Sequence, residues 1–132
     1  MKDITDKLKS KIKAFLENDG WKVFEEFWLA AAHSRFDLFG IRENETIIVE
    51  IKADYELKRE VFWKTPCKVY GPYDERSKSA ILYRVLGQVI WYSQYADTVW
   101  LIASTEICQR LSQMTIELPN IEFFTIERWL EE

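Results

Sequence analysis

A chain of 132 residues is one domain's worth, with 48% hydrophobic and 15% aromatic residues, enough for a packed core and too much for a disordered segment. The apolar runs all fall short of the roughly twenty residues that span a bilayer, and Met1 to Ser10 is too polar for a secretion signal, so a soluble intracellular, cytoplasmic protein is expected. The formal net charge of -4 argues against nucleic-acid binding through bulk charge, but Glu117 to Glu132 holds five Glu and one Arg, which leaves the rest of the chain neutral.

Ile4, Leu8, Ile12, Phe15 and Leu16 recur at helical spacing with Lys7, Lys9, Lys11 and Lys13 between them, so the chain opens with an amphipathic helix. Asn18-Asp19-Gly20 supplies its stop, with Gly20 suited to the left-handed position. Trp21 to Trp28 is aromatic-rich and reads as a strand. Ala30 to Ala32 with His33-Ser34 reads as a loop, a helical turn being the alternative. Phe36 to Ile41 and Thr46 to Ala53 are runs of β-formers parted by Arg42-Glu43-Asn44-Glu45, a hairpin signal. Both are apolar at nearly every position, as expected of strands covered on two faces.

Asp54 to Ser77, with Pro66, Gly71 and Pro72, reads as a long excursion, in which Trp63, Tyr70 and Tyr73 can either stack on bases or pack the loop down. Lys78 to Tyr95 carries the helical stripe Ile81, Leu82, Val85, Leu86, Val89 and Ile90, with Ser77 or Ser79 as its cap. Thr98 to Ser104 reads as a buried strand, Glu106 to Gln113 as helix, Ile121 to Ile126 as a short strand and Glu127 to Glu131 as a closing helical turn. The order is α-β-β-β-α-β with additions, a single α/β (α+β) domain around a mixed sheet, spanning residues 1–132.

The chemistry sits in the hairpin. A turn centred between Glu43 and Asn44 sets Arg42 opposite Glu45, Phe39 opposite Ile48 and Asp37 opposite Glu50, with opposed residues about 4.5–5.5 Å apart and on one side. Alternation puts Lys52 on the face of Glu50 and turns Ile51 away. Two carboxylates in apolar strands need compensation, and a divalent cation supplies it. In this arrangement Asp37 and Glu50 hold the metal, the Ile51 carbonyl adds a ligand, and Lys52 assists the attacking water or the developing charge. The two cysteines, Cys67 and Cys108, are too far apart in sequence for a zinc pair or a disulfide framework, and His33 is the single histidine.

Asp37 followed by Glu50-Ile51-Lys52 at the end of a hydrophobic strand resembles the PD-(D/E)XK nuclease superfamily, the restriction-endonuclease-like fold. Gln88-Val89-Ile90-Trp91-Tyr92 looks like the Gln-x-x-x-Tyr motif of its RecB-like members. The resemblance covers roughly Thr5 to Ser104 and implies a core of α-β-β-β-α-β and metal-dependent hydrolysis of phosphodiesters with Mg²⁺ or Mn²⁺, usually on DNA. An endonuclease is expected, with Asp37, Glu50, Lys52, Gln88 and Tyr92 as its catalytic set. Arg84 shares a helix face with Gln88 and Tyr92 and is expected to contact substrate; His33, four residues before Asp37, is a further contact, or simply a surface-loop histidine. Phe36 replaces the motif's proline. Many members carry a Glu in the first helix, where this chain has Lys9, with Asp6 and Glu17 the nearby acids.

A second reading stays open, a catalytically inactive module of the same fold that binds nucleic acid or a protein partner. A small-molecule enzyme with Lys52 as nucleophile fits poorly, because two nearby carboxylates raise that lysine's pKa. One small site cuts one strand, so duplex cleavage would call for a homodimer, for which the aromatic surplus allows an interface.

Overall fold

The computed structural model describes residues 4–53, 75–114 and 120–130. Ile4–Asn18 forms helix α1, which buries Leu8, Ile12 and Leu16. It ends as its residues dictate: Gly20 takes φ 90°, and the Trp21 N–H turns back to the Leu16 carbonyl at 3.0 Å. Strands β1 (Lys22–Leu29), β2 (Ser34–Arg42) and β3 (Glu45–Lys52) follow, with a single 3-10 turn at Ala30–Ala32, the helical-turn alternative to a plain loop. Helix α2 (Glu75–Tyr92), strand β4 (Thr98–Ala103), helix α3 (Thr105–Met114), strand β5 (Ile121–Thr125) and helix α4 (Ile126–Leu130) complete the described chain.

The strands form one mixed sheet in the order β1-β2-β3-β4-β5, antiparallel through β1, β2 and β3 and parallel from β3 to β5. One face packs on α1 and α4 through Leu8, Ile12, Leu38, Ile47, Val49, Ile51 and Ile126. The other packs on α2 and α3 through Phe36, Phe39, Ile48, Val85, Val89, Leu101 and Ile107. This is the α+β sandwich and the α-β-β-β-α-β order expected of a restriction-endonuclease-like core, with β3 covered on both faces.

The hairpin register is the one that a turn at Glu43-Asn44 requires: Arg42 opposes Glu45 and Phe39 opposes Ile48, with Glu43 at φ 54° making the turn. Gly40 is needed beside it, since a Cβ there would lie 2.8 Å from Ile47 Cγ2. Helix α2 starts at Glu75 and stops at Tyr92, earlier at both ends than the apolar stripe indicated, so Ser77 and Ser79 lie inside the helix and cannot be its cap. Most of the excursion, with Trp63, Cys67, Tyr70 and Tyr73, lies outside the described residues.

Candidate active site

Asp37 sits where β2 and β3 part. Their ladder runs from Arg42↔Glu45 to Leu38↔Val49 and stops, so Asp37 and Glu50 do not form the ladder pair that the register extrapolates to. The Asp37 side chain takes that place: its Oδ2 accepts the Ile51 N–H at 2.7 Å. A strand residue's N–H and C=O project toward the same neighbour, so the Ile51 carbonyl faces the same gap.

Alternation places Glu50 and Lys52 on the α2 side of β3, between Ile48 on that side and Ile51 on the other. Glu50 is 6% exposed, the one buried charged residue among those described. Lys52 Nζ lies 3.1 Å from Glu50 Oε2, while Glu50 Oε1 is buried with no partner among the described residues. Burial first, and then the Asp37 charge, push the Glu50 carboxyl up to about 7 against the opposing effects of Lys52 and the Asp37 main chain. Asp37 is raised as well, first by burial and then by Glu26, against the Ile51 N–H, Lys9 and Lys52.

Helix α2 closes the α2 side of the site. Tyr92 is buried, meets Phe36 edge-on with ring centroids 4.7 Å apart, and is held by Gln88, whose Nε2 lies 2.7 Å from its hydroxyl. Burial and the Glu50 charge push the Tyr92 phenol up to about 12, which keeps it a neutral hydroxyl. Gln88 and Tyr92 therefore come together, and Tyr92 feels both carboxylates. Arg84 is exposed on the same helix, one turn earlier. His33 is exposed too, in the left-handed conformation that ends the 3-10 turn, where its N–H bonds the Ala30 carbonyl.

One acid escaped the sequence reading. On β1, Glu25 opposes Leu38 and Phe27 opposes Phe36, which brackets Glu26 opposite Asp37, yet that pair is missing from the ladder and Glu26 has φ 50°. Phe24 and Phe27, three apart, both pack against the α2-side cluster, as do Phe36 and Phe39 across from them. Side-chain alternation thus slips by one on both strands at the Glu26–Asp37 row. Glu26 consequently reaches α1, where it pairs with Lys9, next to Glu25 with Lys13 at 3.1 Å. Of the helix acids considered, Asp6 and Glu17 are exposed on α1; the carboxylate beside Asp37 comes from the strand.

The donor set can be tested for a cation on these observations. No group of three or more His, Cys, Asp or Glu able to hold a metal ion occurs among the described residues. What is present is two carboxylates flanking a gap, one oxygen of which is buried and unpartnered, plus a main-chain carbonyl. That sparse, hard-oxygen set suits Mg²⁺, which keeps several waters and takes substrate phosphate oxygens. A cleft of about 340 Å³ elsewhere, lined by Trp21, Arg42 and Trp100, contains none of these residues.

No family model and no curated protein matches this sequence. Among solved structures, the crystal structure of an XisH family protein from Nostoc punctiforme is similar, with a TM-score of 0.49 and 18% identity over 96% of this chain and 94% of that one. No helix among the described residues is long and apolar enough to cross a membrane.

Proposed function

We propose that this chain is a metal-dependent nuclease that hydrolyses phosphodiester bonds of DNA, with Asp37, Glu50 and Lys52 at its centre. The observation that carries the reading is the buried Glu50, one oxygen on Lys52 and the other unpartnered, beside an Asp37 that fills the break between β2 and β3. A buried carboxylate left half-satisfied next to a second acid is costly unless a cation joins them. Asp37, Glu50 and the Ile51 carbonyl would hold Mg²⁺ or Mn²⁺, which when bound supplies Lewis acidity and a more acidic water.

Each residue has a task. Asp37 keeps the strands apart at the site by satisfying Ile51 with a side chain in place of a strand. Lys52, tethered by Glu50, presents an ammonium where negative charge develops on the phosphorus oxygens. Tyr92, neutral and buried against Phe36, fixes the wall behind Glu50, with Gln88 fixing Tyr92. Arg84 and His33, both exposed, are proposed to meet the substrate backbone.

A panel of labelled duplex, single-stranded, flap and junction DNA with matching RNA, incubated with Mg²⁺ and with Mn²⁺, tests the proposal. Cleavage that disappears in E50A supports it. A folded protein that cuts none of these substrates, while Mg²⁺ still raises its thermal midpoint, would favour the inactive binding module instead.

A further inference from the structure

We propose that Glu26 is a third carboxylate of the metal site, parked on Lys9 while the cation is absent. This rests on the reading of Asp37 and Glu50 as metal ligands. Three features of the molecule support it, and none depends on the sequence motif.

First, Glu26, Asp37 and Glu50 occupy one row across three neighbouring strands. The pairs on either side of Glu26 and Asp37 fix that row on β1 and β2, and the β2–β3 register extends it to Glu50. The β1–β2 ladder skips this row and the β2–β3 ladder ends just before it, so no ladder pair joins these three residues.

Second, Glu26 holds a left-handed backbone at φ 50° inside a strand, a conformation that is unfavourable for a residue with a side chain. Its effect is to slip the alternation, so that Glu26 and Asp37 leave the face their neighbours would assign them. A glutamate whose only task was a surface ion pair could reach solvent from an unstrained strand, as Glu25 does.

Third, Lys9 and Glu26 both act on Asp37, in opposite senses, so ammonium and carboxylate both stand close to it. The side chain of Lys9 is 12% exposed and that of Glu26 is 47% exposed, so Glu26 is the more exposed partner of the two and can turn without being unburied. An arriving cation competes with the Lys9 ammonium for the same carboxylate. The buried, unpartnered Oε1 of Glu50 is the independent sign that this row is short of one positive ligand.

Mn²⁺ titrated into the full chain by calorimetry, with no nucleic acid, decides the matter. E26Q is expected to weaken Mn²⁺ binding about tenfold or more, and K9Q to tighten it. The double variant separates release of Glu26 from a plain loss of positive charge: K9Q should give no tightening in the E26Q background. Binding in E26Q within about twofold of the parent overturns the proposal, as does equal weakening in E26Q and K9Q, which would make the pair a brace for the strand. Tightening by K9Q that persists with E26Q overturns it too. D37N tells the two readings apart: loss of binding in D37N with none in E26Q removes Glu26 alone, whereas full binding in D37N removes the metal site itself.

Discussion

Asp37 satisfies Ile51 as a strand would, its Oδ2 accepting the Ile51 N–H at 2.7 Å where the β2–β3 ladder has ended. This gives Asp37 a structural role separable from its chemical one. D37A leaves a part-buried N–H without its acceptor and should cost about 1–3 kcal/mol in urea unfolding. D37N keeps an oxygen for that N–H and removes a charge beside Glu50, so its cost should stay under about 1 kcal/mol. Both should lose cleavage and Mg²⁺-dependent thermal protection. Equal stability of D37A and the parent would show that Ile51 finds its partner elsewhere.

Glu50 should make the metal-free protein less stable as pH rises. Its carboxyl is pushed from 4.5 up to about 7 by burial and by Asp37, so between these values the folded chain holds a proton that the unfolded chain has released. Stability from this group is complete below about pH 4.5 and lost as pH passes through about 7, a difference on the order of 3 kcal/mol at most. Urea midpoints measured from pH 5 to pH 8 should fall in the parent and stay flatter in E50Q, which at pH 8 should be the more stable. Mg²⁺ should stabilise the parent more at pH 8 than at pH 5, because its ligands must be ionised. A parent profile as flat as that of E50Q would place Glu50 in contact with water.

The hairpin was legible because its turn and its alternation are local. Arg42, Glu45, Phe39 and Ile48 pair as counting from Glu43-Asn44 demands, and the apolar run of β3 announces its two covered faces. Gln88 and Tyr92 were legible for the same reason, since four residues on a helix fix one face. The break at Asp37 was not: strict alternation continues the ladder to Glu50 and gives no warning that a side chain will replace the strand. Glu26 was hidden more deeply. Its left-handed backbone is imposed by the surrounding structure on a residue with no preference for it, and its link to Lys9 spans seventeen positions. Helix α2 extends ahead of Ile81, the first residue of its apolar stripe, where hydrophobic spacing carries no signal.

Tyr92 should divide into a hydroxyl effect and a ring effect. Y92F removes the hydroxyl's bonds with Gln88 and Ser34 but keeps the edge-on contact with Phe36, and should cost about 0.5–1.5 kcal/mol. Y92A opens a hole in the α2-side core and should cost about 3–5 kcal/mol. Q88A should cost no more than Y92F, which also loses Ser34, and the double variant Q88A/Y92F should add little to Y92F. Full additivity in that cycle would mean that Gln88 acts independently of Tyr92.

Lys52 should show stability and activity following different properties of the same side chain. Its ammonium is the cation paired with the buried Glu50, so K52A should cost roughly 1–3 kcal/mol at pH 8 and much less at pH 5, where Glu50 is already protonated. Because Lys52 lowers the Glu50 value, its removal should also move the pH transition of stability above about 7. K52R restores a positive charge and should recover most of the stability at pH 8. It should not recover cleavage, because a planar guanidinium cannot place a compact charge at the point the ammonium occupies. In both variants cleavage should fall about a hundredfold or more. Should K52R cut DNA as fast as the parent, the part played by Lys52 would reduce to holding Glu50 in its ionised form.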